Sequence, residues 1–195
     1  NWTKASLDKA IHIIAVSEFT KNELIKTYQT NPKNISIISN GVGQIPLPKD
    51  DIAKKTLNKF KIYKPYFLAL GTLKPNKNYP FLINSFIEFS KKHPDYQLVI
   101  AGKKGWLYQE IENLLNSQKI SNKVIFTDYI TDNEKWVLLN KALSLVIPST
   151  YEGFGIPAIE SLKMNTPVIS SDIPSLREVL GETPLYIDPY KSNTL

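Results

Sequence analysis

The fold is decided by residues 66–101, which read YFLALGTLKPNKNYPFLINSFIEFSKKHPDYQLVIA. Two short runs, Tyr66–Leu70 and Gln97–Ala101, frame this stretch, and both are mostly apolar on both faces, which is typical of buried parallel strands. Between them, apolar residues recur with the spacing of a helix over about Tyr79–Lys92. We expect one face of that helix to carry Phe81, Leu82, Ser85, Phe86 and Phe89. The order strand, helix, strand predicts a parallel βαβ unit.

The same alternation continues in both directions along the chain. Further short apolar runs bounded by turn residues lie at 11–16, 35–38, 123–126, 143–147, 167–170 and 185–187. Helix signals separate them: Ser17 precedes a helical stretch as its N-cap, and Thr131 and Glu134 have the spacing of a capping box. Alternating strands and helices predict an α/β fold with a Rossmann-like, doubly wound parallel sheet.

One break in this pattern divides the chain. Residues 40–49 contain two glycines and two prolines and show no periodicity, which indicates an interdomain linker. We therefore expect residues 1–43 to be a strand–helix–strand piece of one domain, and 44–65 to be the linker with a lead-in helix. Residues 66–195 are predicted to form a second, Rossmann-like domain.

The composition excludes several classes of protein. The chain has no cysteine, so it forms no disulfide and has no thiolate nucleophile. Its apolar runs are far shorter than the roughly 20 residues that span a bilayer. The net charge is +6, but the basic residues are scattered lysines with a single arginine, Arg177, which favours a solvated surface over nucleic-acid binding. Peripheral contact with an anionic membrane is compatible with that surface.

Ligands of an open parallel sheet bind beyond the carboxyl ends of its strands, so the loops there hold the candidate residues. The loop 71–78 starts with Gly71 and brings Lys74 and Lys77 to the start of a helix, a combination that binds phosphate. An ordinary loop with solvated lysines is the simpler interpretation of this segment alone. The loop 102–105 has a second glycine turn with two lysines, and on its own it is a weak indication of function.

The most specific pattern follows the strand predicted at 143–147. The next residues read STYEGFGIPAIE, which places Glu152 and Glu160 on either side of a glycine pair that leads into a helix. Pro157 suits the first helical turn, so Glu160 lies about one turn inside the helix and Glu152 stays in the loop. Helix-start amides can bind phosphate, and carboxylates can accept hydrogen bonds from hydroxyls. A plain helix cap is disfavoured because it has no need of two glycines.

These motifs together resemble the retaining nucleotide-sugar glycosyltransferases of family 4, also called group 1. Their GT-B fold has two facing Rossmann-like domains. The resemblance covers nearly the whole chain and rests on residues 14–17, 39–42, 71–78, 98–102, 148–155 with Glu160, and 167–170. The loop 71–78 is similar to that of mannosyltransferases that build bacterial surface polysaccharide, which implies GDP-mannose as the donor.

The resemblance implies a donor site on three loops. Its members would be Gly71, Thr72, Lys74, Lys77, Tyr129, Ile130, Glu152, Gly153, Phe154, Gly155, Ile156 and Glu160. Lys77 on the diphosphate and Glu152 on hydroxyls of the donor sugar are the expected catalytic residues. Glu160 is expected on the ribose, the glycine-rich backbone on sugar and diphosphate, and Tyr129 near the base. The family often has an arginine at Thr72, so Lys74 is the candidate for the second phosphate ligand.

The implied reaction is transfer of a hexose from a GDP- or UDP-linked sugar to an acceptor hydroxyl with retention, in polysaccharide or lipopolysaccharide biosynthesis. The donor is a substrate; we expect no cofactor and, without an Asp-x-Asp pair, no metal. A glycan or lipid-linked acceptor would bind the family's N-terminal domain. We therefore expect a cytoplasmic donor-binding half, truncated at both ends, preceded by a remnant of the acceptor-side domain and inactive alone.

Two alternatives stay open at this point. One is another enzyme of the GT-B type, such as a sugar epimerase or a phosphorylase. The other is a non-catalytic module that binds a nucleotide sugar or a glycan. A donor-binding half should bind a nucleoside diphosphate, whereas a glycan-binding module should bind sugar without nucleotide.

Overall fold

The structure is a computed structural model that describes residues 2–103, 108–117, 120, 122–191 and 195. Part of the second glycine turn, 102–105, lies outside the described residues, so the prediction made for that turn is described only as far as Lys103. Among the described residues, no helix is both long and apolar enough to cross a bilayer.

Strands and helices alternate along the described chain. The first part contains α1 (Trp2–Lys9), β1 (Ile13–Ala15), α2 (Glu18–Tyr28), β2 (Ile35–Ile37) and α3 (Asp50–Lys59). The second part contains β3 (Tyr66–Leu70), α4 (Tyr79–Lys92), β4 (Gln97–Ala101), α5 (Tyr108–Ser117), β5 (Val124–Asp128), α6 (Asp132–Lys141), β6 (Ser144–Ile147), α7 (Ile156–Lys163), β7 (Val168–Ser171), α8 (Pro174–Leu180) and β8 (Leu185–Ile187). Two short 3-10 turns precede β2 and α4, at Pro32–Asn34 and Pro75–Lys77.

The strands form two parallel sheets. β1 and β2 pair with each other, with α2 as their connection. The other six strands lie in the order β5-β4-β3-β6-β7-β8, so the chain starts in the middle, winds outward to β5 and returns to place β6 beside β3. This is the Rossmann strand order, and it confirms the predicted α/β fold with a doubly wound parallel sheet.

The core lies on both faces of the six-stranded sheet, because successive residues of a buried strand point to opposite faces. Leu68 and Leu145 pack on the face covered by α6, α7 and α8. Leu98 and Ile100 pack on the face covered by α4 and α5. Burial on both faces explains why these strands are continuous apolar runs in the sequence.

The buried face of α4 differs from the predicted one. Its bounds are as predicted, and Leu82, Ser85 and Phe86 are buried, but Ile83 and Ile87 are buried as well. Phe81 and Phe89 are only half-buried. The predicted stripe was correct for Leu82, Ser85 and Phe86 but too narrow, because a helix that lies flat on two parallel strands buries a wider face than one i, i+4 row.

The segment 40–49 joins the two sheets and contains neither helix nor strand before α3 begins. The ammonium of Lys163 at the end of α7 donates hydrogen bonds to the carbonyl oxygens of Val42, at 3.0 Å, and Gly43, at 2.7 Å. The next helix, α3, packs against α6. The segment is thus held against the large sheet by its backbone.

Candidate active site

The strand order defines where a ligand can bind. β3 and β6 are neighbours, but the chain leaves β3 in one direction and β6 in the other, which opens a crevice at their carboxyl ends. The loop after β3 holds Lys77, and the loop after β6 holds Glu152. The two loops that carry the expected catalytic residues therefore face each other across this crevice.

The loop after β3 is shaped by close packing against the loop after β4. The amide of Gly71 donates to the carbonyl of Ala101 at 2.9 Å. A Cβ at Gly102 would lie 2.1 Å from the carbonyl oxygen of Gly71, so only glycine fits there. The Tyr79 hydroxyl donates to the same oxygen at 2.9 Å. Burial, aided by the Glu152 carboxylate, raises the pKa of Tyr79 well above its ordinary value and keeps this donor protonated.

The loop after β6 is tied to the loop after β3 through its backbone. The amide of Thr150 donates to the carbonyl of Asn76 at 2.9 Å, and the Asn76 side-chain amide donates to the carbonyl of Tyr151 at 3.1 Å. Gly155 ends the loop as the N-cap of α7 with φ +87°. A Cβ there would lie 2.5 Å from Cδ2 of Leu176, so sterics and conformation both require glycine.

Lys77 and Glu152 meet at the centre of the crevice. The Lys77 ammonium lies 2.6 Å from Oε1 of Glu152, and the Ser149 hydroxyl donates to the same oxygen at 2.7 Å. The free space beside this pair is about 10 Å³, room for about one water molecule. Both charged groups border this space, so a ligand that enters the crevice meets a cation and a carboxylate side by side.

Glu160 lies in a second ion pair, away from Glu152. It is on α7, 8% exposed, and its Oε1 lies 2.7 Å from the ammonium of Lys135 on α6. Sequence reasoning missed Lys135 as a partner, and it missed Ser149 as a ligand of Glu152. One feature of the sequence could have pointed to Lys135: it lies in the first turn of a helix that starts just beyond the carboxyl end of a strand.

The other expected site residues differ in exposure. Lys74 is exposed, Thr72 is half-buried, and Phe154 is buried at 8% exposure. Tyr129 is 68% exposed, and the Lys103 ammonium lies 5.5 Å from its ring centroid. Ile130 packs against the core, and Ile156 is exposed.

The end of β5 carries a β-bulge next to Tyr129. The register shifts so that Asp128, and not Thr127, pairs with Ala101. Asp128 has a positive φ of 60°, and the amide of Tyr129 donates to its carboxylate at 3.1 Å. Bulges bend the end of a strand, and this one shapes the loop in which the base of a nucleotide is expected.

The glycine-rich loop is also held from the first sheet's helix. The buried Ser17 hydroxyl donates to the carbonyl of Gly153 at 2.8 Å, in addition to capping α2 as predicted. At the same helix start, the amides of Glu18 and Phe19 donate to the carboxylate of Glu178 on α8, at 2.6 and 2.8 Å. α2 therefore fixes the backbone next to Glu152, a contact that the sequence pattern did not reveal.

A larger apolar cavity of about 210 Å³ lies between α4 and the sheet. Among the described residues that line it, Ser85 is the one polar side chain, and Phe67, Phe86 and Ile169 are typical of the rest. None of its described side chains is charged, so the crevice is the better candidate site for a phosphate. Within the part of the chain that the structure describes, no three acidic or histidine side chains converge as metal ligands.

The fold is that of GT-B glycosyltransferases, which confirms the predicted fold class. Sucrose-phosphate synthase from Thermosynechococcus elongatus superposes with a TM-score of 0.80 and 25% identity, over 98% of this chain and 49% of that one. Anabaena HepE, solved in complex with UDP and glucose, superposes with a TM-score of 0.81 and 18% identity, over 98% of this chain and 55% of its own.

The family model of the group 1 glycosyl transferases matches residues 51–195, and the chain belongs to this family. The O-antigen chain mannosyltransferase RfbU of Salmonella typhimurium is 37% identical over 187 residues, which are 95% of this chain and 49% of that protein. The O-antigen chain mannosyltransferase B of Escherichia coli is 28% identical over 94% of this chain and 49% of its own length. The chain thus spans about half the length of these relatives.

Proposed function

We propose that this chain binds the donor for a retaining glycosyltransferase that moves a hexose from a nucleoside diphosphate sugar to an acceptor hydroxyl. The observation that carries the proposal is the Lys77–Glu152 ion pair, 2.6 Å long, at the switch point of a Rossmann-like sheet. One group there can neutralise phosphate and the other can accept hydrogen bonds from sugar hydroxyls.

On this proposal, donor binding makes Lys77 change its partner from Glu152 to the diphosphate. The diphosphate carries more negative charge than one carboxylate and takes over the ammonium. Glu152 is then released to accept hydrogen bonds from hydroxyls of the donor sugar, while the Ser149 hydroxyl, 2.7 Å away, keeps the carboxylate in place.

The start of α7 offers a second set of phosphate ligands. No described side chain caps this helix start, so its first backbone amides can donate to a ligand. Glu160 lies one turn further along the same helix, where we place the ribose hydroxyls. Sugar, diphosphate and ribose would then lie along one line from Glu152 to Glu160, with the base near Tyr129.

The chemistry assigned to these groups is stabilisation of the leaving group. Negative charge builds up on the diphosphate as the bond to the sugar breaks, and Lys77 with the helix-start amides would neutralise it in a crevice shielded from bulk water. Retention at the anomeric carbon is part of the proposal, and it is supported by the resemblance of residues 148–160 to retaining enzymes. Measuring the anomer formed by a full-length transferase of this sequence tests it.

Mannose is the donor sugar that we propose, linked to GDP, and bacterial surface polysaccharide is the proposed product. Both relatives described above are named O-antigen chain mannosyltransferases. The chain spans about half of each relative, so we propose donor binding for this chain and transfer, with acceptor binding, for a protein of the relatives' full length. We expect this chain alone to show no turnover.

Isothermal titration of the chain tests the proposal. GDP-mannose and GDP are the expected ligands, and UDP, UDP-glucose and free mannose are titrated beside them. Binding of free mannose without nucleotide would identify a glycan-binding module instead. Tight binding of UDP-glucose with none of GDP-mannose would keep the donor site but overturn the assigned donor.

A further inference from the structure

Lys135 is a half-buried cation that the donor-site assignment does not use. It lies in the first turn of α6, and its side chain is 23% exposed. Its ammonium contacts three groups: Oε1 of Glu160 at 2.7 Å, Oδ1 of Asp132 at 3.7 Å and the ring centroid of Trp136 at 3.9 Å. The cation is therefore fixed from several sides, on a helix that follows the end of β5.

Glu160 needs such a partner because its side chain is only 11% exposed. A buried carboxylate without a cation or hydrogen-bond donors is strongly disfavoured. The cation–π contact with Trp136 and the pair with Asp132 restrict where the ammonium can lie, and the ammonium in turn restricts the carboxylate. Both side chains come from regular helices, so the geometry of this pair does not depend on a loop.

The ion pair leaves the carboxylate able to bind more. It is formed through Oε1, and a carboxylate has about four acceptor positions over its two oxygens. A carboxylate held in one orientation can accept hydrogen bonds from two adjacent hydroxyls, as a ribose presents them. One that rotates freely must first be ordered, which lowers the affinity for that ligand.

We propose that Lys135 is a positioning residue that orients Glu160 toward the adjacent hydroxyls of a ribose and thereby determines selectivity for ribonucleotides over 2′-deoxyribonucleotides. The inference rests on the proposed function, in which Glu160 binds the ribose. It deepens that function by naming the residue, on a different helix, that sets the ribose preference.

The experiment compares GDP with 2′-deoxy-GDP by isothermal titration on the 195-residue chain. We expect the unchanged chain to bind GDP about tenfold more tightly, the usual effect of one hydrogen bond to a charged group. Lys135→Met keeps a side chain of similar length and removes the ammonium that lies over the Trp136 ring. We expect it to lower GDP affinity more than 2′-deoxy-GDP affinity, until the two ligands bind within about twofold of each other.

The ratio of the GDP and 2′-deoxy-GDP affinities distinguishes a positioning role of Lys135 from a purely electrostatic effect of its charge. Loss of a positive charge near a diphosphate weakens both ligands by the same factor, whereas loss of Glu160 orientation weakens GDP, which has both hydroxyls, more than 2′-deoxy-GDP, which keeps only the 3′-hydroxyl. Lys141→Met is the matched control, since Lys141 lies on the same helix, is 38% exposed and pairs with Asp50 at 3.4 Å. It should leave both affinities unchanged.

Combining Lys135→Met with Glu160→Gln gives a second readout. If the lysine acts through the carboxylate, each single change abolishes the GDP preference and the double change adds nothing further. Lys135→Gln, which is too short to keep the 2.7 Å contact, replaces the methionine variant if that variant does not fold.

Three results would overturn the inference. One is an equal loss for both ligands in Lys135→Met, and another is an unchanged preference for GDP. The third is an unchanged chain that binds both ligands equally, which contradicts the ribose assignment of Glu160 and removes the role of Lys135. Absence of binding to any nucleoside diphosphate is distinguishable from these, because it refutes the donor proposal itself.

Discussion

The two lysine–glutamate ion pairs have almost the same length, but they lie on very different backbone elements. Lys77–Glu152 is 2.6 Å long and Lys135–Glu160 is 2.7 Å long, and all four side chains are largely buried. The first pair joins a 3-10 turn to a glycine-rich loop, whereas the second joins two regular helices. A pair on loops can exchange partners when a ligand arrives, and a pair on helices is better suited to holding one orientation. We therefore assign phosphate capture to the first pair and ribose orientation to the second.

Loss of Lys77 should have the largest effect on this comparison. Lys77→Ala removes a charge-assisted contact to the diphosphate and should weaken GDP by roughly 1.5 to 3 kcal/mol, with almost no effect on guanosine, in isothermal titration. Lys91→Ala is the control because Lys91 is an exposed lysine near the far end of α4, outside the crevice. Equal losses for GDP and guanosine would show that Lys77 is a structural lysine and that the two pairs do not differ in role.

The Lys77–Glu152 pair also depends on the backbone that holds Glu152. Gly155 is the position in that backbone that we expect to tolerate substitution least. Gly155→Ala forces a positive φ on a residue with a Cβ and places that atom 2.5 Å from Leu176. We expect a loss of about 1 to 3 kcal/mol in the free energy of unfolding, measured from denaturant midpoints. Gly153→Ala is the comparison, since its Cβ would lie 3.7 Å from the Thr20 hydroxyl. Equal stability of both variants would contradict this account of the loop.

We expect a smaller effect from weakening the contact between α2 and the glycine-rich loop. Ser17→Ala removes the helix cap and the 2.8 Å hydrogen bond to the carbonyl of Gly153, with an expected cost of about 1 to 2 kcal/mol in thermal or chemical unfolding. GDP-mannose affinity should fall as well, because the Glu152 loop loses an anchor. The Lys135–Glu160 pair does not depend on Ser17, so the affinity for GDP, which lacks the sugar, should fall less than the affinity for GDP-mannose. A larger loss for GDP than for GDP-mannose would reverse the assignment of the two pairs.

The sequence predicted the fold to a large extent because the signals for it are local. β3, β4 and α4 have their predicted bounds, since apolar runs and helical periodicity depend only on neighbouring residues. β1 is shorter than the run at 11–16, because Ile11 and His12 are exposed beside the small sheet and do not pair. The buried stripe of α4 was placed too narrowly, because its width depends on the sheet that it covers.

The candidate site was predictable only in part. The glycine pair marked Glu152 and Glu160 as a unit, since those signals lie within one loop and one helix turn. Lys135 pairs with Glu160 across 25 positions of sequence, and Ser17 reaches Gly153 across 136 positions. Nothing in the local pattern of a lysine or a serine specifies such partners; they follow from the sheet order and the packing of helices against it.

The crossed effect of the two glutamates on two ligands tests the central claim most directly. Glu152→Gln and Glu160→Gln are each titrated with GDP and with GDP-mannose. Glu160→Gln should weaken both ligands alike by about 1 to 3 kcal/mol, because the ribose is common to them. Glu152→Gln should weaken GDP-mannose by a similar amount without weakening GDP. If both substitutions lower the melting temperature and leave all four affinities as they are in the unchanged chain, the two ion pairs are structural and the donor-site account is contradicted.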